Sequence, residues 1–132
     1  TLLFGSIRDS KWKDNQVSLP TLPGASLATV STFEDGMAYS LGIGRRISDS
    51  ISISATFAKD PSSGGNDPVS ELSPTGATTS ISLGAKIAIN DNADLSVGGT
   101  WSQKGDATTS TYGGVLSDSS VTSMGAKISY NF

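Results

Sequence analysis

The chain has 132 residues, a net charge of −3 and only 16% charged residues, well under the roughly 25% of ordinary soluble domains, so charge does not coat its surface. It has no cysteine and no histidine, which excludes a disulfide framework, a thiolate metal site and the usual general base. No basic stripe suits a nucleic acid, and no apolar run approaches the ~20 residues of a transmembrane helix.

In chain order, the periodicity is that of strands. Leu2 to Trp12 is strand-like but irregular. Thr1-Leu2-Leu3-Phe4-Gly5 already reads as strand with no signal peptide before it, so Thr1 is expected to be a cut end. A long polar loop is predicted from Asp14 to Glu34. Met37, Tyr39, Leu41 and Ile43 then alternate with Ala38, Ser40, Gly42 and Gly44. A short turn at Ser48-Asp49 leads to Ile51, Ile53, Ala55 and Phe57, set against Ser52, Ser54, Thr56 and Ala58.

After a second loop, Asp60 to Ala77, the set Ile81, Leu83, Ala85, Ile87 and Ile89 opposes Ser80, Ser82, Gly84, Lys86 and Ala88. Asn90 to Asp94 is a turn, followed by Leu95, Val97, Gly99 and Trp101 against Ser96, Gly98, Thr100 and Ser102. The third loop runs from Gly105 to Ser120. The last strand places Met124, Ala126, Ile128, Tyr130 and Phe132 against Ser123, Gly125, Lys127, Ser129 and Asn131.

Six strands with short turns at one end and long loops at the other match the layout of an outer-membrane barrel. One stripe is aliphatic, with Phe57 and Trp101 toward the loops and Tyr130 and Phe132 toward the terminus, as interfacial girdles require. The other is serine, glycine and alanine, and suits an enclosed interior. The expected fold is therefore all-β: an antiparallel transmembrane β-barrel segment, residues 1–132 forming its C-terminal portion. In hydrocarbon every backbone group must be paired, and the smallest barrels have about eight strands. Six are incomplete, and the remaining strands must come from the parent chain or from other chains.

The ending Ser123-x-Gly125-x-x-Ile128-x-Tyr130-x-Phe132 resembles the C-terminal assembly signal of outer-membrane proteins. Leu3-Phe4-Gly5-Ser6-Ile7-Arg8 with Trp12, then Phe33-Glu34-Asp35 leading into Tyr39-Ser40-Leu41-Gly42-Ile43-Gly44, resembles the outer-membrane long-chain fatty acid and hydrocarbon transporter family, the FadL family. Leu83-Gly84-Ala85 and Leu95-Ser96-Val97-Gly98-Gly99 are similar too. The resemblance covers nearly all of this chain, but only the final strands of a family barrel. It implies passive passage of a hydrophobic small molecule across the bacterial outer membrane, with outer-membrane lipid, lipopolysaccharide and the barrel assembly machinery as partners. It also implies pocket-lining residues at Thr29, Ser31 and Phe33. Ala28 to Thr32 is uncharged where relatives can carry a cation for a carboxylate, which leaves a neutral apolar ligand open.

Ser40, Gly42, Lys86 and Lys127 are expected to face the lumen, and Gly125, Ile128, Tyr130 and Phe132 to form the assembly signal. Gly42-Ile43-Gly44 lacks the third glycine and the helix of a phosphate loop, so strand glycines are the simpler reading. Asn90 to Asp94 lacks the glycine and glutamate of a calcium loop. Asp60, Asp67 and Glu71 are scattered through a Pro-Gly-Ser loop, as surface charge is. Arg45 and Arg46 flank a turn, either solvated or meeting anionic headgroups. Lys86 and Lys127 either tune an internal field or hydrogen-bond across a polar interior. No catalytic residue and no cofactor are expected. The rival readings are a structural or adhesive barrel without transport, and a soluble carbohydrate-binding sandwich.

Overall fold

A computed structural model describes residues 1–13, 17–20, 27–31, 35–61, 69, 76–109 and 112–132. They form ten strands and no helix. The long strands are β1 (Leu2–Ser10), β4 (Gly36–Arg46), β5 (Ile51–Asp60), β6 (Thr78–Asn90), β7 (Ala93–Lys104) and β10 (Ser120–Tyr130). They make one six-stranded antiparallel sheet in the order β1-β4-β5-β6-β7-β10. Each long strand pairs with the next long strand in the chain, so the sheet is an up-and-down meander. It is not closed into a barrel: β1 and β10 are its two edges.

The expected alternation holds through β4, β5, β6, β7 and β10, and the register aligns the stripes. Leu41, Phe57, Ile81, Trp101 and Thr122 form one cross-strand row, and Ile43, Ala55, Leu83, Gly99 and Met124 form the next. A slip of one residue would send each stripe to the opposite face. None occurs.

Four details differ from the sequence reading. Two of the predicted loops contain ribbons: β2 (Val17–Pro20) pairs with β3 (Leu27–Ser31), and β8 (Ala107–Thr108) with β9 (Val115–Leu116). The turn after β6 is only Asp91-Asn92, because Ala93 and Asp94 already pair with Asn90 and Ala88 across an irregularity in the register. The amide of Asn92 donates to Asn90 Oδ1 at 2.9 Å, a side-chain-stabilised turn. The last strand stops at Tyr130, so Phe132 lies beyond it and packs edge-on against the Tyr130 ring, with centroids 5.1 Å apart. Finally, Leu2 and Phe4 fall on the small-residue face, opposite Gly44 and Gly42.

Among the described residues the sheet has no second layer and no packed core. The buried side chains are Val69, Ala107 and Thr109, all at the loop end. There the Val69 amide donates to Thr108 O at 2.7 Å and the Gly105 amide to Ala77 O at 2.6 Å. These bonds knit two of the long connections together.

Candidate functional site

The candidate site is the sheet itself, two chemically unlike faces set back to back by two-residue alternation. On the apolar face, large side chains stand open: Leu41 is 60% exposed, Leu83 63%, Met124 87% and Ile128 72%. Phe57 and Trp101 share one level toward the loops, and Tyr130 stands near the short turns. A contiguous apolar area of this kind marks a surface that meets lipid or another partner. An open trough of about 1310 Å³ crosses its centre, lined almost wholly by carbon.

The opposite face is built from short side chains. One row reads Ser6, Ser40, Ala58, Ser80 and Ser102, and the next Phe4, Gly42, Thr56, Ser82, Thr100 and Ser123. Hydroxyls pair along these rows: Ser6 with Ser40 at 2.9 Å and Ser82 with Thr100 at 2.8 Å. A third row runs Leu2, Gly44, Ser54, Gly84, Gly98 and Gly125. The Phe4 ring lies over Gly42, where any Cβ would collide with it. An edge-strand aromatic therefore covers a bare stretch of strand.

Charge on this face is confined to two levels. Toward the short turns lie Arg46, Lys86 and Lys127, aligned through Ser52 and Ser96. Lys86 Nζ is 3.2 Å from Asp94, which sits two residues from Ser96 on β7 and so lies diagonally close to Lys127 as well. Toward the loops, Arg8 reaches across β4 to Asp60 at 3.1 Å, and Lys104 Nζ donates to Thr78 Oγ1 at 3.2 Å. In both ion pairs the cation is largely exposed and the carboxylate mostly covered, and such surface pairs contribute only about 0–1 kcal/mol. Their role is to balance charge. Between these levels lies a neutral belt, with a hollow of about 680 Å³ beside Phe4, Ser54 and Lys86.

Ser40, Gly42, Lys86 and Lys127 share one face of the sheet. Gly125, Ile128 and Tyr130 lie on the edge strand β10, where a Cβ on Gly125 would meet open space. Thr29 and Ser31 belong to β3, opposite Ser18 and Val17. Phe33 lies outside the described residues, as do Asp67 and Glu71.

Sequence reasoning missed Asp35. Its Oδ1 accepts the amides of Trp12 and Lys13 at 2.8 and 3.0 Å, and Lys11 stands 3.7 Å from its other oxygen. This cluster clamps the end of β1 to the start of β4. The Lys13 amide, chiefly, holds the Asp35 carboxyl below the usual carboxylate range. The Asp9 carboxylate, chiefly, raises Lys11. Spacing could not have found the clamp, because its partners are 22 and 23 residues apart. No protein-family model, no curated protein and no solved structure matches this chain.

Proposed function

We propose that this chain is part of the wall of a bacterial outer-membrane β-barrel that passes hydrophobic compounds, such as long-chain fatty acids, down their gradient. The carrying observation is a single six-stranded sheet whose large apolar side chains stand open on one face while serine, glycine and threonine fill the other. A soluble sandwich needs those isoleucines against a second sheet, and the described residues hold none.

Acyl chains satisfy the apolar face, and the neutral hydroxyl belt lines the passage. The two open edges accept the barrel's remaining strands, since hydrocarbon tolerates no unpaired edge. Strand parity agrees: with six alternating strands β1 and β10 run antiparallel, so an even number of added strands completes an all-antiparallel wall. The open edge of β10, with Phe132 after it, offers the assembly machinery a template for strand addition. The outer leaflet of lipopolysaccharide would surround the loop end.

The test is uptake of labelled oleate and of a neutral aromatic hydrocarbon by cells with and without the gene product. Loss of either uptake on deletion, restored by complementation, supports transport. Unchanged uptake of both, with the product still in the outer membrane, leaves the second reading, an adhesive or structural barrel. The knitted loop end around Val69, Ala107 and Thr109 favours that alternative.

A further inference from the structure

We propose that the apolar face carries a site for one anionic phospholipid, whose acyl chain lies in the central trough and whose phosphate meets Arg45. The proposal rests on the reading of that face as lipid-facing, and it begins with two adjacent arginines that do different things. Neighbouring strand residues point to opposite faces. Arg46 is engaged by its own turn: Nε donates to Ser48 O at 3.1 Å, Nη2 donates to Asp49 O at 2.8 Å, and the Asp49 carboxylate lies 3.5 Å away. Arg45 takes the other face, in the row with Ile53, Ala85, Val97 and Ala126. Among the described residues it has no hydrogen-bond or ion-pair partner.

A lone guanidinium on a carbon surface is a recognition element when an apolar groove begins beside it. Arg45 lines one end of the trough of about 1310 Å³, and Trp101 and Met124 line the far side. Its floor is low because Ala55, Ala85, Gly99 and Ala126 stand where the rest of the face carries larger groups. From β4 to β10 is four strand spacings, about 19 Å, comparable with the ~15 Å of hydrocarbon in one leaflet. One cation at the short-turn end and carbon along the remainder describe an amphiphile with a single anionic head. Guanidinium pairs phosphate in a two-pronged geometry. Arg45 lies level with Ala85, two residues nearer the short turns than Leu83, so its long stem must carry the guanidinium toward the interface to meet a headgroup.

The experiment folds the whole gene product into vesicles of phosphatidylethanolamine and phosphatidylglycerol, extracts it in mild detergent and counts retained lipids by native mass spectrometry. The expected result is one retained phosphatidylglycerol. Arg45→Gln lowers its retention about tenfold or more, the scale of one charge-assisted pair. Arg45→Lys restores part of it, and Arg46→Gln leaves it unchanged. Ala126→Phe, which fills the trough, lowers retention with Arg45 intact, and Ala55→Leu provides a second filling variant. Retention that survives Arg45→Gln, or equal retention of phosphatidylethanolamine, overturns the site while the barrel reading stands. A product that fails to insert into vesicles at all overturns both.

Discussion

Placing a charge at Leu83 separates a lipid-facing wall from a water-facing one by a margin that ordinary equilibrium measurements resolve. Leu83 is the central apolar residue of β6, between Ala55 and Gly99 in its row and 63% exposed. Its neighbours leave room for an arginine, so overpacking does not enter and Leu83→Arg reports the surrounding solvent. At the bilayer midplane that substitution costs about 2–4 kcal/mol; at ~1.4 kcal/mol per tenfold, the folding equilibrium constant falls roughly 30- to 1000-fold. On a wetted surface the same change stays within about 0.5 kcal/mol. Ile87 lies four residues nearer the turns, about 13 Å along the strand, or about 10 Å in depth at the usual ~40° tilt. Ile87→Arg is therefore expected to cost only about 0–1 kcal/mol. Ser82→Arg, on the opposite face, tests the sidedness. The assay is urea-driven unfolding of the gene product from phospholipid vesicles, followed by heat-modifiable electrophoretic mobility. A Leu83→Arg protein within 0.5 kcal/mol of the parent refutes the reasoning.

Four further outcomes are expected. Asp35→Ala removes the acceptor of the Trp12 and Lys13 amides, and hydrogen exchange at both should accelerate while the centre of β4 stays protected. The same clamp has a pH window: the folded carboxyl of Asp35 is depressed, so its contribution is complete above the unfolded value of about 3.9 and disappears as pH falls through the lower folded value. Lys11 is raised, so its part is complete below about 10.4 and is lost as pH climbs through the higher folded value; exchange at Lys13 against pH follows both. Gly76→Ala forces a methyl onto backbone atoms of Gly105 and Asp106, which cannot yield cheaply. It should weaken the loop-end knit by about 1–3 kcal/mol, read as faster proteolysis of the connection between β5 and β6. Gly42→Ala meets the Phe4 ring and the Thr56 hydroxyl; the ring belongs to an edge strand and can swing away, so the cost should stay under about 1 kcal/mol.

The strands where one stripe is aliphatic and the other serine or glycine were legible outright, because a period of two admits one assignment of faces. β1 was not. In Leu2-Leu3-Phe4 three apolar residues run together, and only pairing with β4 sends Leu3 and Ile7 to one side and Leu2 and Phe4 to the other. The ribbons β2–β3 and β8–β9 were hidden because segments of two to five residues show too little periodicity to register. Asp94 read as a turn residue because Asn and Asp favour turns; in the fold it extends β7 and balances Lys86. Nor could Arg45 and Arg46 be told apart until the turn carbonyls were seen to engage only one of them. The two faces were therefore readable from local pattern, whereas the contacts across strands and loops depended on register.

The sidedness of β6 is the central quantity. This chain contributes no cysteine, so single cysteines at residues 80 to 87, placed in a gene product freed of any cysteine elsewhere, carry nitroxide labels without competing sites. In outer-membrane vesicles, residues 81, 83, 85 and 87 should be open to oxygen and closed to a water-soluble nickel chelate. Residues 80, 82, 84 and 86 should give the reverse. Equal chelate access on both sets, or odd-numbered labels immobilised against protein, would contradict the account.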